Sequence, residues 1–206
     1  MRPGLRRLGG AAILLFAAVI VTVMGCTDAT SPAYRSEVVE PPGQMTDFDL
    51  VADDGQPFRI ADLHGEVAVV YVGYTHCPDI CPMTLANLAA ARQLLPAEVR
   101  EHVRVVMITA DPARDTPELL SRYVGYFDPT FIGVSGDVDE VLDALHEWGI
   151  HPVCDPPAQD GSYAVSHPAI SFIFNRSGLL RLKAPHELTP EQLASDLQLV
   201  WREGNN

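Results

Sequence analysis

Apolar residues fall along this chain in three patterns, and each predicts a different element. The near-continuous runs Val67–Val72 and Val103–Ile108 read as strands buried on both faces, as in a parallel sheet covered by helices. Phe131–Val134 is a shorter run of the same kind and predicts a third parallel strand. Stripes at helical spacing come next. Leu85, Leu88, Ala89 and Leu95 precede Pro96, and Val138, Val141, Leu142, Leu145 and Trp148 precede Gly149. Leu193, Leu197, Val200 and Trp201 form the last stripe. Helix starts are signalled by Pro82, by Thr116-Pro117, by Asp137 with Glu140 three residues on, and by Thr189-Pro190-Glu191-Gln192. Apolar runs flanking turn residues predict two hairpins, Phe48–Ile60 about Asp53-Asp54-Gly55 and Ile170–Leu182 about Asn175-Arg176-Ser177-Gly178.

This order of elements predicts an α/β domain of thioredoxin-like fold. A central mixed sheet is flanked by helices, and the first hairpin is an N-terminal extension. At 206 residues and 47% hydrophobic composition the chain supplies one full core. Its start lies outside that core. Arg2, Arg6 and Arg7 precede an apolar stretch from Ala11 to Met24, which is shorter than the roughly 20 residues of a membrane span and fits a signal-peptide core. Val23-Met24-Gly25-Cys26 resembles a bacterial lipobox, which implies cleavage before Cys26 and lipidation of that cysteine. The expected organisation is therefore a leader over 1–25, a lipidated Cys26 with a flexible, proline-containing tether over 26–44, and the domain over 45–206. The domain is expected on the extracytoplasmic face of a bacterial membrane, held by lipid.

Charge narrows the partners. The formal net charge is −13, and the leader removes three of the cations, so the remaining surface repels phosphate backbones and nucleic acid is excluded as a partner.

The chemistry centres on Gly73-Tyr74-Thr75-His76-Cys77-Pro78-Asp79-Ile80-Cys81-Pro82. Cys77 lies on the loop leaving the first central strand, and Cys81 on the first turn of the helix after it, where open α/β sheets place their chemistry. Residues four apart on a helical turn share a face, and the helix N-terminus favours thiolate. Such a pair can be a disulfide, a redox couple or two metal ligands. His167, in Tyr163-Ala164-Val165-Ser166-His167-Pro168, precedes a hairpin strand whose loop packs beside this helix start in a thioredoxin-like fold. His76 is the competing imidazole, directed away along extended backbone. Two thiolates and one imidazole form a soft set that suits copper, whereas structural zinc wants a closed four-ligand shell. Asp79 and Asp111 are candidates to shape the site electrostatically. His151-Pro152-Val153-Cys154 reads as an irregular connection with a free thiol.

The chain resembles the Sco/SenC family of copper proteins. The resemblance is carried by the Gly73–Pro82 segment, by Asp111-Pro112-Ala113-Arg114-Asp115-Thr116-Pro117-Glu118 and by Tyr163–His167. It implies one copper, Cu(I) or Cu(II), bound through Cys77, Cys81 and His167. It also implies a metallochaperone that assists assembly of the dinuclear copper site of cytochrome c oxidase. The expected partners are the copper-bearing oxidase subunit and another copper chaperone. The alternative is a thiol:disulfide oxidoreductase using Cys77 and Cys81 to keep a partner's cysteines reduced. Ser166 stands where the family usually has aspartate, and Pro168 where a small polar residue is usual. A proline beside the thiols leaves the isomer of the His167–Pro168 bond open.

Overall fold

The computed structural model describes residues 33–203, so the leader and Cys26 lie outside the described residues. The domain is organised by β4 (Val67–Gly73), whose seven residues are all buried. It pairs in parallel with β5 (Val103–Thr109), which pairs in parallel with β6 (Ile132–Ser135). On its other side β4 pairs antiparallel with β9 (Ile170–Phe174), and β9 with β10 (Leu180–Pro185). The early hairpin, β2 (Leu50–Ala52) and β3 (Pro57–Phe58), docks through β2 on β6. The sheet is mixed, as expected, in the order β1-β10-β9-β4-β5-β6-β2-β3.

The helices begin where cap chemistry places them. Between β4 and β5 lie α1 (Ile80–Leu94) and the short α2 (Ala97–Arg100). Thr116 accepts from the Leu119 amide and Pro117 opens α3 (Pro117–Phe127). Asp137 caps α4 (Val138–Glu147), and Gly149 ends that region at φ +72, a left-handed conformation that glycine adopts without a Cβ clash. Thr189 and Gln192 cap each other's amides at 2.9 and 3.4 Å to open α5 (Pro190–Glu203), which packs on α1 and buries Leu193, Leu197 and Val200.

Part of the stretch expected as tether lies within the described residues and is ordered. Glu37–Gly43 forms β1, an edge strand antiparallel to β10. Its register shifts between Val38 and Gly43, the interval that holds Pro41 and Pro42, since proline brings no amide to a ladder. The strand has no apolar period because distant polar groups hold it. Asp196, fully buried on α5, accepts from the amides of Arg35 and Ser36 at 2.8 Å each and from the Ser36 hydroxyl at 2.6 Å. Arg181 reaches Glu40 at 2.7 Å and Glu203 at 3.0 Å.

Because buried donors to a carboxylate cannot be re-satisfied by water, Asp196→Ala should destabilise the domain by roughly 3 kcal/mol. Urea unfolding checks this, and amide exchange should show protection lost first in residues 35–43. An unchanged unfolding midpoint would refute the role given to Asp196.

Candidate metal centre

Gly73 is the last residue of β4, and the site begins with its missing side chain. A Cβ there would stand 2.6 Å from Tyr71 Cε1 and 3.2 Å from Cys81 Sγ, so only glycine lets the chain turn this close to the thiol. The loop then runs to α1, with the Cys77 amide bonded to the Tyr74 carbonyl at 3.3 Å.

Cys77 takes the part of a helix cap. Its sulfur accepts from the Cys81 amide at 3.4 Å, and the amides of Asp79 and Ile80 also point at it. Burial works against the Cys77 thiolate, but these amides and the Cys81 thiol outweigh it and hold its pKa below the ordinary thiol value. Asp79, expected to act through its carboxylate, stands at the N-cap position with its side chain exposed and making no cap bond. Its contribution is the backbone amide, because the sulfur occupies the place a capping oxygen would take.

Cys81 lies in the opposite environment. It is fully buried, and burial pushes its thiol up to about 12 against the hydroxyl of Tyr71, which donates to the sulfur at 3.2 Å. His167, on the loop following β8 (Val165–Ser166), brings Nε2 to 3.7 Å from the same sulfur, across 86 residues of sequence. Its Nδ1 faces the Pro168 carbonyl at 3.1 Å. A carbonyl only accepts, so Nδ1 carries the proton and the Nε2 lone pair faces the thiols. The rings of Tyr71 and Tyr74 stand edge-on to the imidazole at 6.2 and 5.9 Å, and burial lowers the His167 pKa, favouring the neutral form. Cys77 and His167 line one cavity of about 210 Å³ with Tyr74, Ile80, Val165 and Ala169.

The flanking loops are held from below by two aspartates. Asp115, fully buried, accepts from the Thr75 amide at 3.0 Å, the Thr75 hydroxyl at 2.6 Å and the Thr109 hydroxyl at 2.7 Å. Asp111, expected near the thiols, bonds instead to the Arg114 guanidinium and the Tyr163 hydroxyl, the latter at 2.9 Å. Arg114 stacks over the Tyr163 ring at 3.4 Å. Asp111 therefore acts on the segment leading to His167 and makes no bond to either thiol. The reason is local: its arginine is three residues away and claims the carboxylate. His76 is exposed, and its Nδ1 lies 3.0 Å from the Thr75 hydroxyl. With Asp111 and Asp115 it forms a second group of potential ligands within 4.8 Å, but Arg114 and the threonine hydroxyls already satisfy those carboxylates.

The segment read as irregular at 151–154 is partly ordered. β7 (Val153–Cys154) pairs antiparallel with β8, Cys154 opposite Val165, and Cys154 is an exposed free thiol. Two residues per strand carry too little pattern to be read. Both departures from the family pattern lie on or just after this ribbon. Ser166 is exposed and opposite Val153, and Pro168 contributes only its carbonyl. The His167–Pro168 bond is trans, the cis bond among the described residues being Glu40–Pro41. Tyr71, Thr75 and Asp115 were not legible as site residues. Tyr71 reads as one more apolar position in a strand, and the other two meet only once β4 and β5 are paired.

Fold and site together define a thioredoxin-like domain with two thiols and one imidazole at the carboxyl end of its central parallel strands. A family model described as SCO1/SenC matches residues 38–202. The chain is 38% identical over 143 residues to a Stutzerimonas stutzeri protein named for copper binding, a match covering 68% of this chain and 70% of that one. It is 33% identical over 153 residues to the mitochondrial SCO2 homolog of Mus musculus, covering 74% of this chain and 60% of that protein's length. ScoI of Bradyrhizobium japonicum, solved with copper bound, superposes with a TM-score of 0.70 at 29% identity, covering 77% of this chain and 99% of that one. The chain belongs to the SCO1/SenC family.

The split between the thiols gives a test. In a Cys154→Ser background, iodoacetamide should modify Cys77 with a midpoint below pH 9, the ordinary thiol value, while Cys81 stays protected until pH approaches about 12. Peptide mass spectrometry across a pH series reads both rates, and faster modification of Cys81 would contradict the assigned environments.

Proposed function

We propose that this protein is a copper metallochaperone, with Cys77, Cys81 and His167 as ligands of a single cargo ion and the copper-bearing subunit of cytochrome c oxidase as recipient. The observation that carries the reading is the His167 imidazole whose Nε2 lone pair faces the thiols, held 3.7 Å from Cys81 Sγ. A purely redox dithiol needs no imidazole in that place. Two sulfurs and one nitrogen suit copper in either common oxidation state, and the copper-bound Bradyrhizobium relative supports the same cargo.

The residues divide the work by exposure. Cys77, half-buried and biased to thiolate, is the sulfur an incoming ion or a recipient ligand meets first. Cys81 must give up its proton when it ligates, so loading releases a proton and strengthens as pH rises. His167, already neutral at pH 7, adds no proton to that exchange. Release by ligand exchange then proceeds from the side of Cys77, the more exposed of the two thiols.

The unequal thiols also favour a second reading, a thiol:disulfide oxidoreductase. The Cys77 thiolate would attack one sulfur of a partner disulfide and expel the other as thiolate. Cys81, after losing its proton to solvent, would then attack Cys77 Sγ, releasing the partner's second thiolate and leaving a Cys77–Cys81 disulfide. The lipobox-like segment ending at Cys26 supports lipid anchoring on the extracytoplasmic side, and among the described residues no helix is long and apolar enough to cross a membrane.

His167→Ala separates the two readings. It should leave reduction of a model disulfide within about twofold of the unaltered protein while weakening copper retention by about two orders of magnitude, as loss of one of three ligands implies. Copper competition titrations and a disulfide-reduction assay on the same preparation measure both. A variant that holds copper as tightly as the parent, in cells whose oxidase is fully metallated, would leave the reductase reading in place of the chaperone.

A further inference from the structure

Tyr71 carries the one side-chain hydroxyl in the run Val67–Gly73, and that hydroxyl sits behind the metal centre. The residue is fully buried on β4, and its O–H donates to Cys81 Sγ at 3.2 Å. Cys81 is itself fully buried, so water cannot replace this donor. The contact is fixed from both ends. Gly73 leaves no Cβ to press on the ring or the sulfur, and α1 fixes the sulfur's position through its first turn. A second phenol close by makes the comparison: the Tyr123 hydroxyl is buried and has no hydrogen-bond partner. Proximity to the thiols alone therefore does not produce the bond.

A hydrogen bond to a metal-bound sulfur withdraws electron density from it, and such bonds tune copper–thiolate centres. Cys77 receives this service from the backbone amides of a helix start, which a change of side chain short of proline leaves in place. Cys81 receives it from the Tyr74 amide and from one side chain, the Tyr71 hydroxyl. We infer that Tyr71 is a positioning residue of the metal centre, holding the Cys81 sulfur in the direction of His167 and setting the charge that sulfur presents to the ion. The inference rests on the copper reading and adds to it a residue outside the three ligands. It also gives the Cys81 sulfur a side-chain donor that substitution can remove, beside the backbone amides that serve both sulfurs.

The test compares the purified protein with Tyr71→Phe, with Tyr123→Phe and with 3-fluorotyrosine installed at position 71. Reduced samples are titrated with Cu(I) against a chromophoric chelator, and Cu(II)-loaded samples are scanned for the sulfur-to-copper charge-transfer band. Tyr71→Phe should keep the parent's stoichiometry, bind Cu(I) about tenfold more weakly, the worth of one charge-assisted hydrogen bond, and move the band to longer wavelength. The fluorinated phenol, a stronger donor of the same shape, should move the band to shorter wavelength. Tyr123→Phe should leave both readings unchanged. A Tyr71→Phe band and affinity equal to the parent's would overturn the inference and leave the copper reading standing. Should Tyr71→Phe fail to fold, an unshifted band in the fluorotyrosine protein overturns it alone. A parent protein that holds no copper would overturn both.

Discussion

The amides at the start of α1 converge on a sulfur where a helix usually finds an oxygen, and much of the site follows from that substitution. A capping thiolate uses the helix terminus twice. It satisfies donors that burial would otherwise orphan, and it draws its own negative charge toward the positive end of the helix. Cys77 is thereby committed to the loop, and Cys81, one turn later, is committed to the interior. Two chemically identical side chains four residues apart acquire opposite protonation preferences, one from burial and the other from the amides and thiol that point at it.

That arrangement needs a rigid floor beneath it. The loop carrying Cys77 is fastened at Thr75 by Asp115, and the segment carrying His167 is fastened at Tyr163 by Asp111. Both aspartates lie in the single stretch that follows β5. One connection thus sets the separation of two halves of the site that are 86 residues apart in sequence. Disturbing it would alter the distance between imidazole and thiols without touching a ligand.

Much of this was legible beforehand, for local reasons. The continuous apolar runs could only be strands covered on both faces, and Thr116-Pro117, Asp137 and Thr189–Gln192 announced helix starts within one or two residues. The juxtaposition of His167 with the thiols was legible too, because it follows from the order of elements. Other features depend on contacts that no local pattern records. β1 pairs with a strand about 140 residues away and is entered through a clasp by Asp196 on residues 35 and 36, while its own prolines argue for irregular chain. The partners of Asp79 and Asp111 were not legible, since which atom of a residue acts is decided by neighbours that only the fold supplies. Tyr71 is the sharpest case. Its burial is readable from the run it belongs to, and its hydroxyl is hidden by the same run.

The direction of β1 has a mechanical consequence. Glu37, Lys183, Phe172, Val70 and Val106 stand in one row across five strands, and β1 runs opposite to β4. The chain therefore enters the sheet from the end at which β4 delivers the thiols. Any leash upstream of residue 33 is tied to that end of the domain, and the clasp of Asp196 on residues 35 and 36 keeps the tie from peeling inward. A body leashed by its working end swings with that end nearest the point of attachment. Were the chain before residue 33 such a leash, lengthening it would widen the area the thiols sweep while thinning their local concentration over each partner, so reach and encounter frequency would trade against each other.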